Sequence, residues 1–310
     1  MSFDVPIAFC IFNRPEVTQR VFDAIARQKP KQLFVIADGA REDVEGESEL
    51  VAQTRAIVDQ IDWPCNLQCN FAKRNMGCRN RMATGLSWAF GLAEQLIILE
   101  DDCLPDQSFF GYCRELLIRY QSDPNVMMIS GDNFQPHRRT ENSYYFSRWT
   151  HIWGWASWRR AWQHFDVELK SWPEVRLQKD FVKQFENEQE YRYWSRIFDG
   201  LVRGEIDTWD FAWGYACWVQ GGLTILPEVN LVSNLGFGLD ATHTRDPNSS
   251  LANLPTSAMG ALRHPPNIER NEIADQWTYE KIFKPEVEQS LQVVTPKRKL
   301  LDRFFKRRSA

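Results

Sequence analysis

The sequence predicts an α/β fold with a mostly parallel central sheet flanked by helices, on two observations. Short apolar runs alternate with stretches of helical periodicity from residue 5 to residue 130, the order that a parallel sheet covered on both faces requires. Three of those runs stop on polar clusters, Asn13-Arg14, Asp38-Gly39 and Glu100-Asp101-Asp102. In open sheets of this kind, ligands sit beyond the carboxyl ends of the strands.

The first run, residues 5–12 (VPIAFCIF), is almost wholly apolar and includes β-branched residues, the pattern of a strand buried on both faces. Residues 16–27 then place Val17, Val21 and Ile25 at helical spacing, with Pro15 suited to the first turn and Pro30 just beyond. Residues 33–37 (LFVIA) predict a second buried strand, residues 50–61 a helix stopped by Asp62-Trp63-Pro64, and residues 66–71 a weaker third strand. Residues 82–95 predict a helix rich in Ala and Leu, and residues 96–99 (LIIL) a short apolar strand running into the acids. A helix over 109–120 and a strand over 126–130 (VMMIS) follow, after which, from about residue 135, the pattern turns irregular and rich in Trp, His and Arg. No repeat or low-complexity linker separates the halves, so residues 1–105 and 106–285 read as two lobes of one domain, followed by a basic tail, 286–310.

A net charge of −4 offers no general attraction to nucleic acid, which is not expected as a partner. The seven Cys lack paired metal-ligand spacing and fit reduced thiols. No signal-peptide pattern follows Met1, and no stretch reaches the ~18 apolar residues a membrane span needs, so a cytoplasmic address is expected. Within the tail, residues 297–308 (KRKLLDRFFKRR) interleave seven basic residues with Leu300, Leu301, Phe304 and Phe305. Two readings stay open: peripheral contact with the inner membrane face, and a solvated tail or a helix packed on the body.

Consecutive carboxylates after an apolar strand repel one another and resist ionisation unless a cation neutralises them. Mg²⁺ or Mn²⁺ prefers oxygen ligands, tolerates one or two carboxylates and keeps positions open for phosphate oxygens. The plainer reading of Glu100, Asp101 and Asp102 is an acidic loop before a helix capped by Asp106. Arg14, Arg74, Arg79 and Arg81 are cations suited to a diphosphate, or else ordinary strand-end and helix-start charges. Asp210, between aromatics in Thr208-Trp209-Asp210-Phe211-Ala212-Trp213, is a candidate general base, with Asp207 as the fallback. Trp153, Trp155 and Trp209 are candidate stacking surfaces for sugar rings, and the surplus of 13 Trp and 20 Phe suits such a ligand. His243 lies in a stretch, 234–244 (NLGFGLDATHT), whose glycines permit loop closure; a metal ligand, a phosphate contact and no role stay open for it, and Asp240 is equally open. His137 and His151 are surface or acceptor-cleft candidates.

The run ILEDDCLPDQSFF, residues 98–110, resembles the metal-binding segment of the GT-A glycosyltransferases, above all the N-acetylglucosaminyltransferase I group, where an acidic triplet precedes a Pro-Asp-Phe-Phe type helix start. Asn13-Arg14-Pro15 resembles the first nucleotide-contacting loop of that family and Asp38-Gly39 the second. Arg74-Asn75-Met76-Gly77 resembles the Asn-x-Gly segment of family 2 enzymes, and Gly154-Trp155 and Trp209-Asp210 have counterparts in the same group. The similarity spans residues 4–245 and implies a GT-A (Rossmann-like) fold, with 1–105 binding a nucleotide sugar and 106–285 binding the acceptor. It implies metal-dependent, inverting transfer of a hexosyl or N-acetylhexosaminyl group from a UDP-linked donor to a hydroxyl of a glycan or lipid-linked acceptor. Carried over by position, Asp102 would coordinate Mn²⁺ or Mg²⁺, Asp101 would contact ribose, and Glu100 would lie near uracil or the donor sugar. Asp38 would meet the uracil edge, Asn13 and Arg14 the base or phosphate, and Asp210 would be the base. Two alternatives stand beside this: a nucleotidyltransferase of sugar phosphates, which should carry a Gly-rich basic loop where this chain has Asn13-Arg14-Pro15-Glu16, and a non-catalytic glycan-binding protein on the same fold.

Overall fold

The structure, a computed structural model, describes residues 3–238 and 249–284. Its frame is an eight-stranded sheet in the order β3-β2-β1-β4-β8-β6-β9-β7, where β1 is Ile7–Ile11, β2 Gln32–Ala37, β3 Asn66–Phe71, β4 Gln95–Glu100, β6 Val126–Ser130, β7 Tyr144–Ser147, β8 Trp155–Trp158 and β9 Leu223–Pro227. A two-stranded ribbon pairs β5, Cys103–Pro105, with β10, Val232–Asn234. Strands β1 to β4 are mutually parallel, β8 runs antiparallel between β4 and β6, and β7 runs antiparallel along β9. The sheet is therefore mostly parallel and flanked by helices, the predicted class.

Apolar content explains the strand order. β1, with both neighbours parallel, is buried along its whole length, and LIIL of β4 is buried at every position, as central parallel strands must be. Asn66–Phe71 is polar and half-exposed because it is the edge strand. The order 3-2-1-4 reverses direction between β1 and β4, and that topological switch opens a crevice at their carboxyl ends. Asn13-Arg14 and Glu100-Asp101-Asp102 face each other across it, because register pairs Cys10 with Glu100.

The helices match the periodicity, with shifted ends. α1, Pro15–Gln28, carries Pro in its first turn and buries Val21, Phe22 and Ile25. α2, Glu47–Ala56, starts earlier than its apolar pattern suggests and passes into a tight turn at Ile57–Gln60. α3, Gly77–Leu92, starts five residues ahead of the apolar period, at Gly77. α4, Gln107–Arg119, is capped as expected, the Asp106 carboxylate accepting the Ser108 N–H at 2.8 Å.

The half after residue 135 adds β7, β8 and β9 to the same sheet; these strands are only four or five residues long, too short to show a period. Between them lie single turns α5 (Arg159–Trp162), α6 (Trp172–Val175) and α7 (Lys179–Val182) and the longer helices α8 (Glu188–Val202) and α9 (Asp210–Val219). α10, Glu272–Thr278, closes the described chain with a final turn at Tyr279–Phe283. Among the described residues, no helix is long and apolar enough to cross a membrane.

α8 is pinned by a buried ion pair between Arg148, just after β7, and Glu190, with side chains 6% and 0% exposed. Burial pushes the Glu190 pKa up and the Arg148 pKa down despite their pairing. The pair itself therefore adds little net stability, whereas removing one partner strands the other charge in the interior. Glu190→Ala is expected to cost about 3–5 kcal/mol in urea unfolding at neutral pH, and the double variant Arg148→Met/Glu190→Ala less than the sum of the single changes.

Candidate functional site

The acidic corner is built by the register of β1 and β4. Past the paired residues, Asp101 accepts the Phe12 backbone N–H at 3.2 Å. Arg14, at the start of α1, reaches back with one terminal nitrogen to Asp101 Oδ1 and, at 2.8 Å, to Asp102 Oδ2. Asp102 is covered from the far side by the ribbon: the Leu235 N–H donates to its carbonyl at 2.8 Å. A Cβ built on Gly236 would lie 2.0 Å from Asp102 Oδ2, so no larger residue fits there without moving the carboxylate.

Electrostatics at the corner are strained by like charge. Burial, followed by the neighbouring charges of Asp102 and Asp101, pushes the Glu100 pKa well above the carboxylate range, against the pull of Arg14; Asp210 adds to the upward push. Burial also raises Asp101, with Arg14 opposing. The Arg14 pKa is lowered by burial but raised more by Asp101 and Asp102, so the guanidinium stays charged. Negative charge exceeds positive at this edge, which is what a bound cation would correct.

Glu100, Asp102 and Arg14 open into one cavity of about 620 Å³ that also has Asp132, His151, Trp153, Asp207 and Asp210 in its wall, a volume within the range of roughly 300–1,000 Å³ usual for ligand pockets. Asp210 is the first residue of α9, and the Thr208 hydroxyl donates to it. Residues 210, 214 and 218 recur every four positions and line the cavity together, so one face of α9 runs along it for about 12 Å. In the middle of that face Gly214 lies against Thr150, whose hydroxyl is 3.1 Å from where a Cβ would be, and Trp218 with Trp149, Trp194 and Phe283 forms an aromatic group in the wall.

The other predicted site residues divide. Trp153 is half-buried and lines the cavity, edge-on to Phe134 at 5.1 Å and Phe237 at 5.5 Å. Trp155, 0% exposed, is absent from the cavity wall and stacks on Trp209 at 5.7 Å in the core, which corrects its assignment as a stacking surface; Trp209, 2% exposed, lies at the edge of the cavity wall with one face taken up by that stack. Arg79 and Arg81 are likewise drawn away from the corner. Arg79 donates to the Val167 carbonyl at 2.7 Å, and Arg81 donates to the Asn70 backbone and side-chain oxygens at 2.7 and 2.9 Å, because their guanidinium groups tie α3 to its neighbours.

Arg74 is exposed, and its backbone packs against Gly39, where a Cβ would come within 2.5 Å. Asp38 accepts the Gly39 and Met76 backbone N–H groups at 2.8 and 2.9 Å, so it closes the amino end of α3; burial raises its pKa against those bonds. Asn13 donates to the buried Glu47 at 2.9 Å. Asp101 is turned inward on Arg14 and Phe12 and is absent from the cavity wall. His137 stands outside that wall, whereas His151 is in it. His243, Asp240 and the basic tail lie outside the described residues.

Sequence reasoning missed Asp132, at the carboxyl end of β6, and the role of Gly236. The run VMMIS ending in Ser130-Gly131-Asp132 carried the same strand-end signal as LIIL before its acids. Among the described residues, no three His, Cys, Asp or Glu side chains converge into a cation cage. The donors that face the cavity, Asp102 with Glu100 beside it, fit a hard cation that takes its remaining ligands from phosphate oxygens and water.

No family model and no curated protein matches the sequence. Among solved structures, the chain is similar to 4-diphosphocytidyl-2C-methyl-D-erythritol synthase from Anaerococcus prevotii DSM 20548, at 8% identity and a TM-score of 0.30 over 63% of this chain and 84% of that one. It is also similar to UDP-glucose pyrophosphorylase complexed with UDP-glucose, at 12% identity and a TM-score of 0.24 over 46% of this chain and 62% of that one. At these scores neither likeness bears on function.

His151 supplies a test of the cavity wall. Burial lowers its pKa from 6.5 to about 3, so the folded protein holds it neutral while the unfolded chain takes up a proton. Its contribution is complete above pH 6.5 and is lost as pH falls towards 3, by about 1.4 kcal/mol per unit. Between pH 7 and pH 5 the wild type is expected to lose about 2 kcal/mol more than His151→Gln in urea titrations.

Proposed function

We propose that the protein is a metal-dependent glycosyltransferase that moves a hexosyl or N-acetylhexosaminyl group from a nucleotide sugar, UDP-linked, to an acceptor hydroxyl with inversion. The observation that carries this is the convergence of Glu100, Asp102, Arg14 and Asp210 on one cavity at the switch point of the sheet. Inversion and the UDP moiety rest on the resemblance of residues 98–110 and of Trp209-Asp210 to the GT-A enzymes.

In this mechanism the acceptor oxygen forms its bond to the anomeric carbon on the face opposite the nucleotide. The bond from that carbon to the diphosphate breaks with its electron pair, and the acceptor proton passes to Asp210, at the start of α9. Asp102, with Glu100 beside it, would hold Mn²⁺ or Mg²⁺, which when bound supplies positive charge to the departing diphosphate. Arg14 lies against the same carboxylates and would add its positive charge to that of the metal on the diphosphate.

Nucleotidyl transfer to a sugar phosphate is the second reading, since the same corner suits a departing pyrophosphate. Products separate the two: the transferase releases a nucleoside diphosphate from a nucleotide sugar, whereas the alternative releases pyrophosphate from a nucleoside triphosphate. A panel of nucleotide sugars with Mn²⁺, read by thermal shift, identifies the donor as the one that raises the unfolding temperature most.

With that donor, Asp102→Asn is expected to abolish metal-dependent turnover. Asp210→Asn should retain donor binding and lower kcat by about 10²–10⁴; turnover at the wild-type rate in both variants would end this reading. Gly236→Ala, which drives a methyl into the Asp102 carboxylate, is expected to weaken UDP binding in the presence of Mn²⁺ at least tenfold in calorimetry while the fold survives.

A further inference from the structure

Asp132 sits at the carboxyl end of β6, two strand positions from Glu100 in the order β4-β8-β6. Two strand spacings amount to on the order of 10 Å, wider than one hexose ring, so a sugar in contact with Glu100 does not also fill the space before Asp132. The residue is 0% exposed, and it lines the cavity. Its Oδ2 accepts the Trp153 N–H at 3.0 Å, whereas Oδ1 has no hydrogen-bond partner among the described residues. An unpartnered buried carboxyl oxygen costs free energy in the folded chain unless a ligand meets it.

Its surroundings specify the ligand's chemistry. Phe134 lies edge-on to both Trp153 and His151, giving an aromatic surface beside the carboxyl, and apolar C–H faces of a pyranose pack on such surfaces while its hydroxyls seek polar atoms. Among the described lining residues Arg14 is the only Arg or Lys, and it is occupied with Asp101 and Asp102. Burial pushes the Asp132 pKa well above the carboxylate range and keeps His151 neutral. No described residue in this part of the wall compensates a phosphate.

Building on the transferase reading above, we infer that Asp132 is the acceptor-recognising residue, its Oδ1 hydrogen-bonded to a hydroxyl of a neutral saccharide that rests against Trp153 and Phe134. The acceptor sugar thereby lies on the β6 side of the cavity and the donor sugar on the β4 side, with Asp210 in the wall of the same space. A charged phosphate group on the acceptor, where there is one, stays outside this subsite.

The test uses the full chain with Mn²⁺ and UDP, titrated with neutral disaccharides (maltose, lactose, cellobiose and diacetylchitobiose) and with glucose 6-phosphate, read by saturation-transfer NMR. Wild type is expected to bind at least one neutral sugar and not the phosphorylated one. Asp132→Ala is expected to weaken that sugar about tenfold, with UDP affinity in the same samples changed less than twofold. Asp132→Asn keeps an oxygen for the Trp153 N–H and an N–H₂ for the sugar; it should restore affinity to within threefold and unfold at a higher temperature than wild type, since it removes a buried acid. Unchanged sugar binding in Asp132→Ala, equal loss of UDP and sugar, or preference for the phosphorylated probe overturns the assignment. The sugar titrations are repeated without nucleotide, so failure of UDP to bind wild type while sugar binding persists counts against the transferase reading and not against Asp132 as a saccharide contact.

Discussion

An excess of negative charge held against the carboxyl edge of a buried parallel sheet is the constraint on which the rest of this molecule depends. Glu100, Asp101 and Asp102 follow one another where β4 ends, and only Arg14 lies close enough to pair with them among the described residues. The pairing is lopsided, since one guanidinium meets two carboxylates while Glu100 is left to rise in pKa. A fold selected for stability alone has no reason to gather acids at such an edge, and perturbed carboxylates in a cleft are a mark of functional sites. Arg14 takes the position of a counterion to Asp101 and Asp102.

The scaffold places this charge with few freedoms left. Parallel pairing of β1 on β4 fixes where Phe12 and Arg14 fall relative to the acids. The β5–β10 ribbon then folds back over the edge, and its Val232 occupies space that two glycines leave open. A Cβ on Gly131 would come within 2.4 Å of the Val232 side chain, and one on Gly154 within 2.7 Å. Gly154 also adopts φ +70°, where a side chain would be strained. Those glycines, after β6 and before β8, let the ribbon lie close enough for Gly236 to approach Asp102, so packing around Val232 helps to set the shape of the corner.

Legibility in the sequence followed the range of the interactions. Central strands could be read from LIIL and VPIAFCIF because burial on both faces leaves no polar position to blur the run. α1 was equally plain, with Pro15 at its start and a continuous apolar stripe. The start of α3 was obscured because its first turn is polar and is capped by Asp38, a residue far away in sequence. For the same reason Arg79 and Arg81 could not be told from phosphate ligands: their carbonyl partners, at Val167 and Asn70, are set by tertiary packing. Glu100, Asp102, Asp210 and Trp153, which line one cavity, each stand in a local sequence pattern; Asp132 shares the strand-end pattern, but its missing partner is a tertiary feature that no one-dimensional pattern records.

The surplus of aromatic residues has a different use from the one that composition suggests. Trp155 stacks on Trp209 at 5.7 Å, Trp162 lies against Trp213 at 5.2 Å, and Phe165 stacks on Trp162 at 4.2 Å, forming a continuous layer beneath α9. Trp209 immediately precedes Asp210, so the stacking that buries its ring fixes the backbone from which the Asp210 carboxylate projects. Large rigid rings suit that task, since few side-chain torsions remain to loosen the position. At Trp153, which lies edge-on to Phe134 and Phe237, an aromatic ring reaches the cavity half-exposed, and its N–H is donated to the buried Asp132. Thus one type of side chain performs two jobs, holding the candidate base rigid on one wall and offering an apolar surface on the other.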